Sequence, residues 1–406
     1  MPNVLLTRAF RHRNFRLYFL GQLLSLHGTW MQSIAQAWLV YRLTDSSFML
    51  GLVSFLNLVP VLLLGLFAGA VADRYSRFRL FWVTQTLAML QAFLLGALTL
   101  GGAVQVGHVL VLAAALGVIH AFEIPARHAL VASLVERAEL SNAIGLNSSL
   151  FNLARFLGPA LAGALIAAFG EGPVFVINGL SFLAVLLALA AMRPRPAMHL
   201  RSGESGGALA GLRFAWRQVA FRYALGLVAL ISLFGTPYLV LMPVFAREVF
   251  GGDAPQLGLL VGAAGLGALL AALRLARREH GTGLERVIVA SALLAGASLL
   301  VFSQAGSFAF ALCVLPVTGF AITSLVTTTN TFLQLQAEDG LRGRLMSLFS
   351  MVFLGLAPIG NLVAGGVAQR IGAPSTVLAC ALICLIGAAL LGYGLCRSVR
   401  RAGQSV

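Results

Sequence analysis

The sequence predicts an all-α integral membrane protein of twelve transmembrane helices, arranged as two pseudo-symmetric six-helix bundles. Three observations carry this expectation. Charged residues make up only 10% of the 406 residues, whereas a soluble domain carries about a quarter. Apolar residues reach 59% and the mean hydropathy is +0.92, more apolar surface than a soluble fold can bury, so lipid must solvate most of it. Finally, the two halves repeat short stretches of each other at nearly constant spacing.

Apolar runs bounded by charge, Pro or Gly mark the helices in order, at 16–41, 48–72, 79–100, 107–129, 143–169 and 174–192. After a polar stretch they resume at 223–249, 257–275, 285–304, 307–335, 346–370 and 375–396. Each is long enough to cross a hydrocarbon core of roughly 30 Å. The basic start resembles a signal peptide, but it runs into an apolar segment too long for one and is expected to be the first span. Pro60, Pro125, Pro159, Pro237, Pro316 and Pro358 fall inside runs and can bend them. Residues 1–192 and 223–406 are therefore the two bundles. The linker 193–222 opens with a Pro/Gly-rich stretch and then runs into Ala208-Leu-Ala-Gly-Leu-Arg213-Phe-Ala-Trp216-Arg217-Gln-Val-Ala-Phe-Arg222-Tyr-Ala224, patterned as an amphipathic helix lying on a membrane surface.

The net charge of +15 excludes less than it suggests. The cations are all arginines, scattered singly between apolar runs, with no basic face interleaved with aromatics, so no nucleic-acid partner is expected. They set orientation instead: with both termini inside, 23 arginines fall on the cytoplasmic side, 3 outside and 2, Arg127 and Arg155, within spans. Four cysteines (Cys313, Cys380, Cys384, Cys396) lie in apolar runs without His or carboxylate nearby, so they read as small hydrophobes and not as metal ligands.

The repeat is specific. Leu23-Leu-Ser-Leu-His-Gly-Thr29 matches Leu230-Ile-Ser-Leu-Phe-Gly-Thr236, and Gly51-Leu52 matches Gly258-Leu259, both at an offset of 207. Gly158, Gly163 and Gly170 match Gly360, Gly365 and Gly372 at an offset of 202. Gly258 and Gly262 also make a G-x-x-x-G helix-packing face. Parallel six-helix repeats around a central cavity are the architecture of alternating-access carriers.

Polar residues inside the spans are the candidates for function, because burying them in lipid is costly. Of thirteen acids, Glu123 is the one well inside a span. His120, Glu123 and Arg127 share a face of span 4, so Glu123 and Arg127 make either a structural salt bridge or a proton-carrying site, with His120 and His27 as further proton-coupling candidates. Arg155 stands 12 residues beyond Ala143, roughly 18 Å into the membrane by helical rise, and needs a partner, a wet cavity or an anionic ligand. Asn152 shares its face. Ser25, Thr29, Gln32 and Gln36 with Trp30 make a polar stripe on span 1, and Thr327, Thr331 and Gln334 make one on span 10. Such stripes line a substrate cavity or glue helices together.

Between spans 2 and 3 the chain reads Gly69-Ala-Val-Ala-Asp73-Arg74-Tyr-Ser76-Arg77-Phe-Arg79. Gly69 would allow close helix approach at the membrane boundary, and Asp73 could face the N-terminus of a neighbouring helix. This loop resembles the signature of the major facilitator superfamily, with Ser76 where that family has a second Gly. Three further runs resemble its branch of bacterial macrolide-efflux pumps and siderophore exporters: Phe122-Glu123-Ile-Pro125-Ala-Arg127-His128, Asn142 through Arg155-Phe-Leu-Gly158-Pro159-Ala-Leu-Ala-Gly163, and Leu341-Arg342-Gly343-Arg344. Gly158-Pro159 is also similar to the fifth-helix motif of drug/proton antiporters.

The resemblance implies a secondary active transporter of the bacterial inner membrane, a monomer exporting a small amphipathic or hydrophobic molecule, by proton antiport. Gly69, Asp73, Arg74, Arg77, Arg79, Arg127, Gly158, Pro159, Arg342 and Arg344 would serve gating, with Asp73 facing the start of span 11 near Ser347. A carrier of the same fold moving a lipid or metabolite without protons is the alternative. No H-E-x-x-H, G-x-S-x-G or nucleotide-binding loop occurs, so neither enzyme chemistry nor a cofactor is expected, and no loop is long enough for the output domain of a sensor.

Overall fold

The protein is described by a computed structural model covering residues 8–193, 218–276, 283–337 and 339–404. Of the predicted surface helix at 208–224, residues 208–217 lie outside the described residues, and from Val219 the chain already belongs to the seventh long helix. Twelve long helices follow one another among the described residues: α1 (Arg13–Thr44), α2 (Ser47–Arg74), α3 (Arg77–Leu100), α4 (Val106–Leu134), α5 (Leu140–Phe169), α6 (Glu171–Ala191), α7 (Val219–Val249), α8 (Ala254–Ala276), α9 (Leu284–Ser303), α10 (Phe308–Gln336), α11 (Asp339–Ile371) and α12 (Ala373–Gln404). Among the described residues, eleven of them are long and apolar enough to cross a membrane. The other, α1, has the length, at 32 residues, but Gln22, Ser25, Gln32 and Gln36 dilute its apolar character.

The helices cluster into two units. One comprises Met1–Asp45, Leu56–Ser202 and Asp253–Gly262; the other comprises Ser46–Phe55, Gly203–Gly252 and Ala263–Val406. In the first, α6 packs on α1 and α3, α1 on α5, and α3 on α4. In the second, α9 packs on α10 and α12, and α12 on α7. The first turns of α2 belong with the second unit and the first turns of α8 with the first unit, so the same exchange is made at pseudo-equivalent places.

The repeated glycines explain how backbones approach so closely. A Cβ on Gly158 of α5 would stand 2.7 Å from the Cβ of Trp30 on α1, and one on its repeat mate Gly360 of α11 would strike the carbonyl of Leu233 on α7. Gly163 faces the Ala254 carbonyl of α8, and Gly365 the Ser47 carbonyl of α2, each 2.6 Å from where a Cβ would be. Gly258 abuts the Pro159 carbonyl, as Gly51 abuts that of Asn361. Gly170 and Gly372, at φ of +77° and +84°, end α5 and α11 with a positive φ that only glycine adopts without cost. Each repeated pair therefore does one job twice.

Proline shapes the rest. Pro60, Pro125, Pro159, Pro316 and Pro358 sit within helices, each removing one backbone donor. Pro237 instead interrupts α7, whose regular part ends at Leu230. Wide turns follow at Ile231–Gly235 and Phe245–Val249, in which Thr236 N reaches Ile231 O at 2.9 Å. Ser232 Oγ donates to the Phe353 carbonyl of α11 at 2.6 Å, holding the irregular stretch in place.

Candidate functional site

The predicted trio on α4 is brought together. Glu123 is buried, and its carboxylate Oε1 stands 3.3 Å from Nε of Arg127, one helical turn on. Pro125 lies between them and removes a backbone donor from that turn. Tyr18 of α1, 1% exposed, lies within electrostatic reach of both charges, and its hydroxyl donates to Asn147 Oδ1 of α5 at 3.1 Å. His120 is half-buried in the field of the same pair. Tyr18 thus ties α5 to α1 beside the charge pair of α4. His27 is occupied differently: its ring Nδ1 is 2.6 Å from the Leu23 carbonyl of its own helix.

α1 and α5 present a second cluster. The guanidinium of Arg155 lies over the Trp30 ring at 5.9 Å, and Trp30 meets Phe151 edge-on at 5.7 Å. A cation over an indole face is attracted by the ring's quadrupole, which helps keep a membrane-embedded arginine in place. Asn152, half-buried, donates to the Ser148 carbonyl at 2.8 Å.

The polar stripe of α1 divides by role. Gln32 donates to Gln91 Oε1 of α3 at 3.0 Å and accepts from Asn178 Nδ2 of α6 at 2.7 Å; Ser181 Oγ donates to Asn178 Oδ1 at 3.1 Å. Gln32 therefore joins three helices through a buried amide network, the gluing role. Thr29 donates back to the Ser25 carbonyl at 2.9 Å, and Ser25 and Gln36 are buried. On α10, Thr327 and Gln334 are exposed and Thr331 is half-buried. Thr331 donates to the Thr327 carbonyl at 3.1 Å, Gln334 donates to Asn330 Oδ1 at 2.5 Å, and Arg342 Nε donates to the Gln334 carbonyl at 3.1 Å.

Of the residues expected in gating, Gly158 and Pro159 form the α5 seams described above. Arg74 and Arg79 are exposed and Arg77 is half-buried. The side chains of Asp73 and Arg344 lie outside the described residues. The expectation of close approach at Gly69 is corrected: no described atom lies within 4 Å of where its Cβ would stand. The glycine of α2 that does make a tight contact is Gly51, 18 residues earlier and so about 27 Å away along the helix. Ser76, the departure from the superfamily loop, caps α3 by accepting from Arg79 N at 3.4 Å, a task glycine could not perform.

Gln91, Asn178 and Tyr18 are the partners that sequence reasoning missed. At the ends of the first unit, Glu171 holds Arg42 bidentately at 2.7 and 3.2 Å, and His12 pairs with Glu139.

An all-helical membrane body of this topology, with a charge pair and amide stripes inside its spans, is a carrier of the major facilitator class. The sequence matches the family described as transmembrane secretion effector over residues 7–401, and the chain belongs to that family of transporters. It is 27% identical to the staphyloferrin A transporter of Staphylococcus aureus over 91% of this chain and 94% of that one. It is 25% identical to the multidrug efflux pump Tap of Mycolicibacterium fortuitum, over 88% and 90% of the two chains. Among solved structures, it shares its fold with the nucleoside transporter NupG (TM-score 0.73, 14% identity, 94% of this chain and 99% of that one). It also shares it with a bacterial homolog of the human lysosomal transporter Spinster (TM-score 0.68, 16% identity, 95% and 97%).

Proposed function

We propose that this transporter exports a small amphipathic or hydrophobic molecule, drug-like or a siderophore, by alternating access in exchange for protons. One observation carries the proposal: Glu123 is a buried carboxylate whose charge is met at 3.3 Å by Arg127. Such a pair is sensitive to a single proton, because neutralising the acid leaves a buried cation without its counter-charge. Arg127 must then find Tyr18, water or cargo, and any of these rearranges α4 against α1 and α5. Proton binding is thereby linked to helix packing. Each unit is assigned its own cargo-contacting groups of aromatic, amide, hydroxyl or cationic character: Trp30, Asn152 and Arg155 in the first, and Thr327, Thr331 and Gln334 in the second. A relative named as a multidrug efflux pump supports the export direction and a drug-like cargo, and one named as a staphyloferrin A transporter supports a siderophore cargo.

We infer from the family resemblance that the protein works as a monomer in a bacterial inner membrane, and from the 23 to 3 arginine split that both termini are cytoplasmic. Its division into bundles at 1–192 and 223–406 follows the repeat. Asp73 with Arg74, Arg77, Arg79, Arg342 and Arg344 is assigned to gating at the cytoplasmic face.

The test is transport by purified protein in sealed vesicles under an imposed pH gradient, with a lipophilic fluorescent dye as probe. Dye accumulation should collapse when the gradient is dissipated. Accumulation that persists without it would rule out proton coupling.

A further inference from the structure

A groove of about 370 Å³ runs between the start of α7 and the end of α12, wholly within the second unit. It is built around one glycine. Gly394 of α12 carries the Tyr223 ring of α7 directly on its backbone, where any Cβ would collide with the ring. The ring makes one wall, and Tyr393, 69% exposed, makes the other. Beyond them the groove ends in Arg397, Ser398 and Arg401 and has no acidic lining residue. Arg397 and Arg401 are exposed. Ser398 donates its proton to the Leu395 carbonyl at 2.8 Å, and its oxygen can still accept.

We propose that this groove binds the headgroup of an anionic phospholipid. The choice of a lipid over a soluble anion rests on what lies below the arginines. Ile383, Ile386, Leu390 and Tyr393 recur at three- and four-residue spacing, which places them on one helix face. All four are exposed, at 42, 62, 69 and 69%. The ten helical steps from Ile383 to Tyr393 climb about 15 Å, half of a hydrocarbon core of ~30 Å. A single acyl chain can therefore lie along α12 with its glycerol at the two tyrosines and its phosphate at the arginines. This is the order in which aromatic belts and basic residues meet an anionic leaflet. A free anion would meet the arginines and leave that stripe unused.

The test counts lipid on the purified full-length protein by native mass spectrometry. The probes are phosphatidylglycerol, phosphatidylcholine with the same acyl chains, and inorganic phosphate as competitor. Phosphatidylglycerol is expected to bind, phosphatidylcholine to bind much more weakly, and inorganic phosphate to compete poorly. The double substitution Arg397→Gln/Arg401→Gln should lower phosphatidylglycerol affinity roughly 30-fold, the factor that two interfacial arginines contribute to anionic-lipid attraction. Gly394→Leu, which keeps both charges but takes the space of the Tyr223 ring, should lower it too. Arg286→Gln, removing an exposed cation at the start of α9, should leave it unchanged. Unchanged affinity in the double variant overturns the proposal even if Gly394→Leu fails to fold. Equal binding of phosphatidylcholine, or full displacement by inorganic phosphate, overturns it as well.

Discussion

Glu123 and Arg127 lie one turn apart on α4, with the acid's Oε1 3.3 Å from the guanidinium Nε, although that nitrogen is not aligned to hydrogen-bond. The pair holds by charge more than by directed bonding, so it can be opened and remade without dismantling a network. A structural strut would be better served by the bidentate geometry that Arg42 and Glu171 adopt at the other end of the unit.

Removing one partner should therefore differ sharply from removing both. Arg127→Gln leaves a buried carboxylate unmatched and should destabilise the protein by about 3–5 kcal/mol, whereas Glu123→Gln/Arg127→Gln should recover most of that. Thermal unfolding in detergent measures both. In vesicles, Glu123→Gln should abolish accumulation driven by a pH gradient while leaving downhill exchange; uphill accumulation by this variant would move proton coupling to another residue.

The amide network predicts a purely structural phenotype. Gln32→Leu strands the Asn178 amide and the Gln91 carbonyl, which should cost about 1–3 kcal/mol for the unsatisfied buried groups. Unfolding midpoints should fall while the relative preference among cargo molecules stays as in the parent. A changed preference at unchanged stability would return Gln32 to the cargo-contacting set.

Glycine substitutions should split by location. Gly360→Ala drives a methyl into the Leu233 carbonyl and should cost about 1–3 kcal/mol through overpacking. Gly69→Ala meets no described atom and should be neutral, or gain up to about 1 kcal/mol from helix propensity. Equal effects at the two sites, read from chemical denaturation, would contradict the packing described for α7 and α11.

Orientation is open to direct labelling. With the four native cysteines replaced, Ser46→Cys should react with an impermeant thiol reagent applied outside intact cells, and Ser202→Cys should not. The reverse pattern would invert every assignment of inside and outside made from the arginines.

Much of the fold is legible in the sequence because the relevant signals are local or repetitive. Ten per cent charge and long apolar runs dictate lipid as solvent, and the glycine offsets of 202 and 207 mark the repeat without any knowledge of contacts. What each glycine touches is not legible, since Gly163 meets Ala254 and Gly365 meets Ser47 across long stretches of chain. The candidate site divides likewise. The spacing of Glu123 and Arg127 announces their pairing, because both ride one helix. The Gln32 network links residues 59 and 146 positions apart, and Gln91 has only leucine and alanine at helical spacing on either side to draw attention to it. Helix ends also overrun the hydrophobic runs: α11 begins at Asp339, not 346, because an α-helix continues through charged residues that hydropathy rejects.

The positive-φ glycines at 170 and 372 each form the whole connection between two long helices: α5 ends at Phe169 and α6 starts at Glu171, as α11 ends at Ile371 and α12 starts at Ala373. A one-residue elbow has no slack. Consecutive Cα atoms are a fixed 3.8 Å apart, so neither helix can slide along its neighbour without dragging the other. In mechanical language, each elbow is a stiff coupling. A push delivered to α5, for instance by something lodged against Arg155 and Trp30, reaches the near end of α6 undamped, and from there the Arg42–Glu171 clamp passes it to the far end of α1.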